Sequence, residues 1–162
     1  MKTPKKRRRQ HRTDYLKRLK LLKSEKPRLV FRRTNKYIIL QYVESQEAKD
    51  KVVFGVTSKA LLKHGWPTSA SGSLKSTTAL YLTGYLVGKQ ITSKKLATPI
   101  VDFGMLRMIH KGKQYAFLKG LIDAGLKIEC PEEAFPSEER IKGDHMKNKI
   151  PFDEIKNKIS KL

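Results

Sequence analysis

The stretch RLVFRRTNKYIILQYV, residues 28–43, decides the fold of this chain. In its first half, Leu29 and Phe31 fall on one side of an alternating pattern and Arg28 and Arg32 fall on the other. A second apolar run follows the polar triplet Thr-Asn-Lys, whose residue types are typical of a tight turn. Two alternating runs joined by such a turn predict a β-hairpin.

The residues after the hairpin predict further strands and helices. They are a third strand over 52–57, a helix over about 73–89, a fourth strand over 98–103, a helix over 114–124 and a short fifth strand over 127–129. Gly84 and Gly88 would let the first of these helices lie close to the sheet. The later strands need crossover connections, because parallel strands cannot be joined by a hairpin. We therefore expect an α/β fold, a three-layer mixed sheet of about five strands with packed helices.

Segments on both sides of this core complete the chain. Residues 1–26 form a basic arm, in which Thr13-Asp14 offers an N-cap followed by a first-turn acid for a short helix over about 14–23. Residues 131–162 carry two short helical patterns with too little apolar surface to fold alone, and we expect this extension to dock on the core or on a partner. The predicted organisation is a basic N-terminal arm, an α/β core domain over 27–130 and a C-terminal helical extension.

Positive charge is concentrated near the N-terminus. The chain carries 36 Lys and Arg against 15 Asp and Glu, which gives a net charge of +21. Sixteen of the basic residues fall in residues 1–36, opposed only by Asp14 and Glu25, so this part holds +14 of the total. Such a segment gains free energy by releasing condensed counterions from a phosphate backbone, which predicts a nucleic-acid partner. A solvated tail, a localisation signal or a protein that compacts duplex DNA would use the same charge.

Several other classes of protein lack support in this sequence. The single cysteine, Cys130, permits neither an intrachain disulfide nor a cysteine-based zinc site and suits a reducing cytosol. No apolar run approaches the roughly 20 residues of a membrane span, and the charged N-terminus lacks the apolar stretch of a signal peptide. The four histidines are scattered and no nucleophile motif accompanies them. We therefore expect no enzymatic activity, no metal and no cofactor.

Asp102 is the one carboxylate inside a predicted core strand. A nuclease would need at least two convergent carboxylates to bind Mg²⁺, and no second acid lies near Asp102 in the sequence. We therefore interpret Asp102 as a strand-end cap or an ion-pair partner.

Aromatic side chains are interspersed with the basic ones. Tyr15 lies in the arm and Tyr37 ends the hairpin turn. Exposed tyrosines can stack on unpaired bases, as in many RNA-binding proteins. Each of the two could equally pack inside the domain, and Trp66 allows the same two interpretations. Lys111 and Lys113 flank a predicted turn, either as a local phosphate contact or as solvated side chains.

Several segments resemble one family of ribosomal proteins. They are TDY at 13–15, RLKLL at 18–22, KPRLVFRRTNKYI at 26–38, YLTGYLVGK at 81–89, FLKGLIDAGL at 117–126 and PSEERIKG at 136–143. In this order they are similar to archaeal-type members of the universal large-subunit family numbered eighteen, the proteins that carry 5S rRNA. The bacterial form has no counterpart of the C-terminal extension.

The resemblance implies a ribonuclease-H-like α/β sheet without ribonuclease activity. It implies a structural constituent of the cytoplasmic large ribosomal subunit, which attaches 5S rRNA to 23S rRNA in the central protuberance beside the ribosomal protein of family five. On this sequence, the residues predicted to bind RNA are Arg7, Arg8, Arg9, Arg12, Tyr15, Arg18, Lys20, Arg28, Arg32, Arg33, Asn35, Lys36 and Tyr37.

Overall fold

The computed structural model describes residues 5–10, 13–46, 49–146 and 149–161. The helices are α1 (Lys6–Arg9), α2 (Tyr15–Lys23), α3 (Thr77–Ser93), α4 (Lys113–Asp123), α5 (Glu138–Lys142) and α6 (Phe152–Ser160). The strands are β1 (Arg28–Arg33), β2 (Ile38–Gln46), β3 (Lys49–Thr57) and β4 (Ile100–Asp102), and short 3-10 helices span Ser58–His64, Thr68–Ser73 and Glu132–Ala134. Within these residues, no helix combines the length and the apolar character needed to cross a membrane.

The strands form one mixed sheet in the order β3-β2-β1-β4. β1 and β2 pair antiparallel, with Phe31 opposite Leu40, and they form the predicted hairpin. β4 lies parallel to β1, with Val101 opposite Leu29. A parallel neighbour needs a crossover connection, and α3 lies within that connection. The predicted mixed α/β class is therefore confirmed.

The predicted fifth strand over 127–129 is wrong. Among the described residues the sheet has four strands and ends at β4. The backbone N–H of Ile128 donates to the nearby carbonyl of Leu126 (3.1 Å) rather than to a neighbouring strand, and its side chain packs against the apolar core. A single apolar residue between polar ones satisfies the alternating pattern, but it does not supply a strand partner.

One side of the sheet, here called the inner face, carries the core. Leu29 and Phe31 of β1 and Leu40 of β2 lie on this face, and each is at most 1% exposed. α3 and α4 pack against it, and the ring of Phe117 in α4 lies 5.1 Å from that of Phe31, centroid to centroid. Burial of each such side chain contributes about 1.5–3 kcal/mol, so this layer dominates the stability of the domain.

α3 and α4 contact each other at glycines. A Cβ atom on Gly84 would overlap the carbonyl oxygen of Phe117, and one on Gly120 would overlap that of Tyr81. Gly88 likewise has no room for a side chain beside α4. The close approach predicted at Gly84 and Gly88 is present, but the partner is α4 and not the sheet. The glycine spacing predicts a close approach by the helix, but it does not identify the surface that the helix approaches.

The opposite side of the sheet, here called the outer face, carries charge. Arg28 and Arg32 of β1 and Asp102 of β4 project from this side, and α2 borders the same cleft. No residue of α2 is buried. The arm is therefore held against the sheet by polar contacts rather than by an apolar layer.

The C-terminal segment packs on the core. Ile141 of α5 and Phe152, Ile155 and Ile159 of α6 belong to one apolar cluster with residues of α3. Trp66 lies in the same cluster and is 2% exposed, so packing is the correct interpretation of this tryptophan. Of the two alternatives expected for the extension, the structure shows docking on the core. The division of the chain into three domains at residues 26 and 130 stays a prediction.

Candidate nucleic-acid interface

One polar contact caps α2, and another holds it on the domain. The Asp14 carboxylate accepts hydrogen bonds from two backbone N–H groups of the first turn (3.1 and 3.2 Å) and so begins the helix, one residue after the predicted cap at Thr13. The Lys17 ammonium donates to the carbonyl oxygen of Gly104, just after β4 (3.2 Å). The Lys17 contact therefore turns its side of α2 towards the end of β4.

The other side of α2 combines charge with apolar surface. Leu16, Leu19, Lys20 and Lys23 lie three or four residues apart, share one side of the helix, and are all exposed. The two leucines are 59% and 51% exposed. The predicted contact Lys20 therefore projects towards solvent, where it can reach a partner.

Five charged side chains form a continuous chain of ion pairs on the outer face, here called the outer-face ion chain. Asp50 binds Arg18 (2.9 Å) and Arg28 (2.7 Å). Asp102 lies 3.8 Å from Arg28 and 3.0 Å from Arg32, measured between nitrogen and carboxylate oxygen. Three residues predicted to bind RNA are thus tied together by two acids that are distant from them in the sequence.

Asp102 is surrounded by groups that stabilise its ionised form. Burial raises the pKa of its carboxyl group, but the backbone N–H of Gly104 (2.8 Å), the Arg32 guanidinium and the nearby Lys17 ammonium together lower that pKa below its usual value. A carboxylate held between cations is a poor proton donor or acceptor. The interpretation of Asp102 as an ion-pair partner is confirmed.

Arg28 is directed into the protein. The residue is 2% exposed, and its guanidinium donates to Asp50 and to the hydroxyl of Ser45 (3.1 Å). Burial raises the pKa of Asp50, while hydrogen bonds from Ser45, Arg18 and Arg28 lower it, and the net shift is downward. As placed, Arg28 positions Asp50 and the strand; its role as an RNA contact stays a prediction.

The arm presents its arginines around α1. The Arg7 Nε donates to the hydroxyl of Thr13 (3.0 Å), and Arg8 and Arg9 are exposed. Arg12 lies outside the described residues. Tyr15 is partly exposed and lies under the Lys5 ammonium, 4.8 Å from the ring centroid. This contact leaves the tyrosine at the surface among cations.

The hairpin turn presents a second group. Thr34 fixes the turn, because its N–H and hydroxyl both donate to the carbonyl of Tyr37 (2.9 and 2.6 Å) and its hydroxyl accepts from the Tyr37 N–H (3.0 Å). Arg33, Asn35 and Lys36 are exposed on this turn. Tyr37 is partly buried against the core and has the Lys59 ammonium 4.5 Å above its ring.

The predicted residues therefore fall into two surface groups. The arm, α2, β1 and β4 enclose a cleft of about 120 Å³, which Arg7, Arg18, Arg28 and Arg32 line together. The turn residues 33–37 form a separate group beyond the end of β1.

Sequence reasoning missed part of the second group. The Lys75 ammonium donates to the carbonyl oxygen of Asn35 (2.7 Å), and the charges of Lys75, Arg33 and Arg140 act on Lys113. The sequence predicts for Lys113 either a local phosphate contact or a solvated side chain, and it predicts no RNA contact at Lys75 or Arg140. Each is a single basic residue far from the hairpin in sequence, so no periodicity or spacing marks it.

The described residues supply no arrangement for metal-dependent catalysis. Across residues 5–10, 13–46, 49–146 and 149–161, no three His, Cys, Asp or Glu side chains lie close enough to hold a metal ion. Asp102 meets two arginines, which is the environment of a structural acid and not that of a Mg²⁺ ligand.

Comparison with known proteins places this chain among ribosomal proteins. A family described as "Ribosomal large subunit proteins 60S L5, and 50S L18" matches residues 1–98. The match covers more than half of the chain and includes the arm, the hairpin and α3.

Individual archaeal relatives extend over more of the chain. The large ribosomal subunit protein uL18 of Korarchaeum cryptofilum is 43% identical over 140 residues, which are 86% of this chain and 70% of the relative. The protein of the same name from Methanoregula boonei is 39% identical over 153 residues (93% and 86%), and that from Methanobrevibacter smithii is 38% identical over 163 residues (99% and 82%). As the resemblance predicted, the chain belongs to this family of large-subunit ribosomal proteins, whose members are structural constituents of the large ribosomal subunit.

Proposed function

We propose that this chain binds 5S rRNA and attaches it to 23S rRNA in the central protuberance, beside the ribosomal protein of family five. The observation that carries this proposal is the fixed hairpin turn, on which Arg33, Asn35 and Lys36 are exposed while Thr34 holds the backbone. A rigid group of donors can match one arrangement of phosphates and base edges, whereas a flexible tail cannot.

The arm supplies affinity with little selectivity. α1 has only basic residues, and Arg8 and Arg9 are exposed. Each phosphate that such a residue neutralises contributes about −0.9 to the slope of log affinity against log salt on a duplex, and about −0.7 on a single strand. The gain comes from counterion release, which is the same for any RNA sequence.

Arg32 lines the cleft and directly precedes the turn group in the sequence. Its guanidinium donates to the carbonyl oxygen of Phe31 (2.8 Å) and to the backbone and carboxylate of Asp102 (both 3.0 Å), yet its side chain remains 48% exposed. The remaining donors of this arginine face solvent in a direction set by β4. Arg32 therefore offers a phosphate a donor whose orientation is already fixed.

Filter binding across a salt series tests the proposed function. The full chain should bind 5S rRNA more tightly than an unrelated RNA of equal length and more tightly than duplex DNA, and affinity should fall steeply with salt. Equal affinity for the unrelated RNA would refute selective 5S rRNA binding. Tighter binding to duplex DNA would favour a DNA-compacting protein instead.

A pair of variants separates affinity from selectivity. Arg33→Ala with Lys36→Ala removes two turn cations without disturbing Asp102, which Arg32→Ala would do. This double variant should lose discrimination for 5S rRNA over unrelated RNA, whereas deletion of residues 2–9 should weaken binding to both RNAs alike. Lys49→Ala with Lys51→Ala, on exposed positions of β3, is the matched control for lost charge. Equal loss of discrimination in the arm deletion and the turn variant would contradict this division.

A further inference from the structure

The strand β3 lies at one edge of the sheet. The order β3-β2-β1-β4 gives it a single neighbouring strand among the described residues. Its last six residues, VVFGVT at 52–57, carry no charge, and Val52 and Val53 are 49% and 39% exposed. Proteins usually cover such an edge or protect it with charge or proline, because an open edge can pair with another chain. The uncharged end of β3 is therefore a candidate interaction surface.

Hydrogen bonds at the hairpin turn set the alternation along β2. In an antiparallel pair, successive residues direct their backbone groups towards the neighbouring strand and away from it in turn. The N–H of Thr34 donates to the carbonyl oxygen of Tyr37 (2.9 Å), so the next residue, Ile38, directs its backbone groups away from β1. The Ile38 N–H accordingly donates to the hydroxyl of Ser58, just after β3 (3.1 Å). Every second residue from Ile38 therefore bonds to β3.

The same alternation shows which backbone groups of β3 lack a strand partner. Leu40 is the second residue after Ile38 and lies opposite Val56, so Val56 bonds to β2. Gly55 then directs its N–H and its carbonyl oxygen away from β2, and Thr57 directs its N–H the same way. Gly55 is exposed. This side of β3 thus offers two donors and an acceptor at the spacing of a strand.

The two halves of β3 differ in their protection. The register with β2 shifts beside Tyr42, where Val53 is an extra residue that forms a β-bulge, and Lys49 and Lys51 come before it. Bulges and lysines on an edge strand are known to prevent pairing with another chain. Neither feature occurs over residues 54–57, which are here called the open edge. Regular pairing with a further strand is therefore possible only along the open edge.

The chemistry of the open edge favours an extended protein segment. Free N–H and carbonyl groups at strand spacing match a polypeptide backbone, whereas an uncharged run beside exposed valines provides no cation for a phosphate backbone. A second copy of this chain would bring another charge of +21 against the first, which opposes self-pairing. The Lys94 ammonium lies 4.5 Å from the centroid of the Phe54 ring. An acidic side chain on the partner could pair with this lysine.

We propose that the open edge of β3 binds an extended segment of another protein, which adds a further strand to the sheet. The segment would carry β-branched residues, which favour strands and can pack beside Val53, and an acidic residue that meets Lys94. This interaction goes beyond RNA binding and does not depend on it, because none of the residues predicted to bind RNA lies in β3.

Two substitutions at one position test the proposal. Gly55→Pro removes the outward N–H and puts a ring in its place, but it leaves the pairing with β2 intact because that N–H is not used there. Gly55→Ala is the matched control, since it keeps the N–H and its Cβ would lie 3.5 Å from the carbonyl oxygen of Leu40, an ordinary contact. Both variants should bind 5S rRNA as the parent chain does, which shows that they fold.

The probe is a synthetic peptide of alternating threonine and valine with glutamates at both ends. Titrated into the full chain, it should bind Gly55→Pro about tenfold more weakly than the parent chain and Gly55→Ala within about twofold of it, because one hydrogen bond and close approach are lost only in the proline variant. A second peptide, methylated on every central nitrogen, keeps the glutamates but has no donors for strand pairing. Equal binding of the two peptides, or of the two variants, would overturn the proposal.

Amide hydrogen exchange of the unaltered chain, read by NMR, gives a result at each residue. In the free chain, the N–H groups of Phe54 and Val56 should exchange slowly and those of Gly55 and Thr57 rapidly. The first peptide should slow exchange at Gly55 and Thr57, and unchanged exchange there would overturn the proposal. Slowing by 5S rRNA alone would assign the open edge to RNA, and slowing that increases with chain concentration alone would assign it to a second copy; either result would overturn the proposal.

Discussion

The inner and outer faces of the sheet are specified by opposite means. On the inner face, Phe31 and Phe117 pack ring against ring, and behind them α3 and α4 touch where glycine leaves no side chain between them. On the outer face, the outer-face ion chain holds α2 and β4 in place through charges that remain partly exposed. Complementary shape therefore determines what packs on the inner face, and complementary charge determines what packs on the outer face.

Because of this difference, the two faces should respond differently to pH and salt. Apolar packing depends on volume and changes little with pH or salt, whereas a partly exposed ion pair responds to both. A protein that binds RNA through the charged face can adjust that face without loss of the core. Variants that test each face should therefore differ in the size of their effect and in its response to solution conditions.

The largest effect is expected on the inner face, from Phe117→Ala. Phe117 is fully buried between Phe31 and Phe103, and its truncation leaves a cavity that the packed rings cannot fill. We expect a loss of about 3–5 kcal/mol in the free energy of unfolding, measured by urea denaturation. The exposed Met108→Ala should stay within about 0.5 kcal/mol of the parent chain. A loss near 1 kcal/mol for Phe117→Ala would show that α4 contributes little to the core.

The next effect is expected on the outer face, from Asp102→Asn. The amide keeps the shape of the side chain but removes the charge that Arg32 and the buried Arg28 share. We expect a loss of about 2–3 kcal/mol, below that of a fully buried pair because Arg32 is half exposed. Glu129→Gln, at an exposed position, is the matched control. Equal stability of the Asp102→Asn and control variants would mean that β4 is held by its backbone alone.

The effect of Asp102→Asn should depend on pH. The pKa of Asp102 is lower in the folded chain than in the unfolded one, so its stabilisation is complete above the unfolded-state pKa and is lost as pH falls through the folded-state pKa. The difference in unfolding free energy between the parent chain and the variant should therefore be largest at neutral pH and should disappear in acid. The same gap at both pH values would exclude the charge as its cause.

A smaller effect is expected where α3 meets α4, from Gly120→Ala. Alanine favours a helix over glycine by about 1 kcal/mol, but its Cβ would overlap the carbonyl oxygen of Tyr81. We expect a net loss of about 1–3 kcal/mol, because the two backbones must separate. Gly72→Ala is the control, since its Cβ would meet no atom within 4 Å. If Gly120→Ala stabilised the chain, the helix contact would be looser than the structure has it.

The smallest effect on stability is expected from Arg18→Ala. Its side chain is 37% exposed, and Asp50 keeps its hydrogen bonds to Arg28 and Ser45. We expect a change of about 0–1 kcal/mol in unfolding free energy. A loss as large as that of Asp102→Asn would mean that α2, and not β4, holds the outer face together.

Local patterns predicted the elements of the fold well. Alternation located the hairpin, the pair Thr13-Asp14 located the start of α2 to within one residue, and Gly125, with φ +105, located the end of α4. The same local patterns failed at residues 127–129, since alternation does not show whether a sheet edge is available. The predicted partner of Gly84 was wrong for a related reason. Glycines in a helix indicate a close approach at their own positions, but tertiary packing decides which surface approaches them.

The family and the location in the large ribosomal subunit were predicted from long matching segments, and the family comparison confirms both. Individual contacts were harder to predict. Alternation places Arg28 on the outer face. Its ion pairs with Asp50 and Asp102 could not be predicted, because these acids approach Arg28 only in the folded chain. Lys75 reaches the hairpin turn through tertiary packing, which has no signature in the residues around it.

The distance in sequence between Arg32 and its partner sets an order of events during synthesis. Asp102 follows Arg32 by 70 residues, and a ribosome adds roughly 5–20 residues per second, so the partner is made about 4–14 s later. During that interval Arg28 and Arg32 have no Asp102 to orient them. We expect a chain truncated before residue 99 to prefer 5S rRNA over unrelated RNA less than the full chain does, and an undiminished preference in that fragment would contradict this order. A nascent chain of this protein would then bind RNA for several seconds before its selectivity for one RNA is complete.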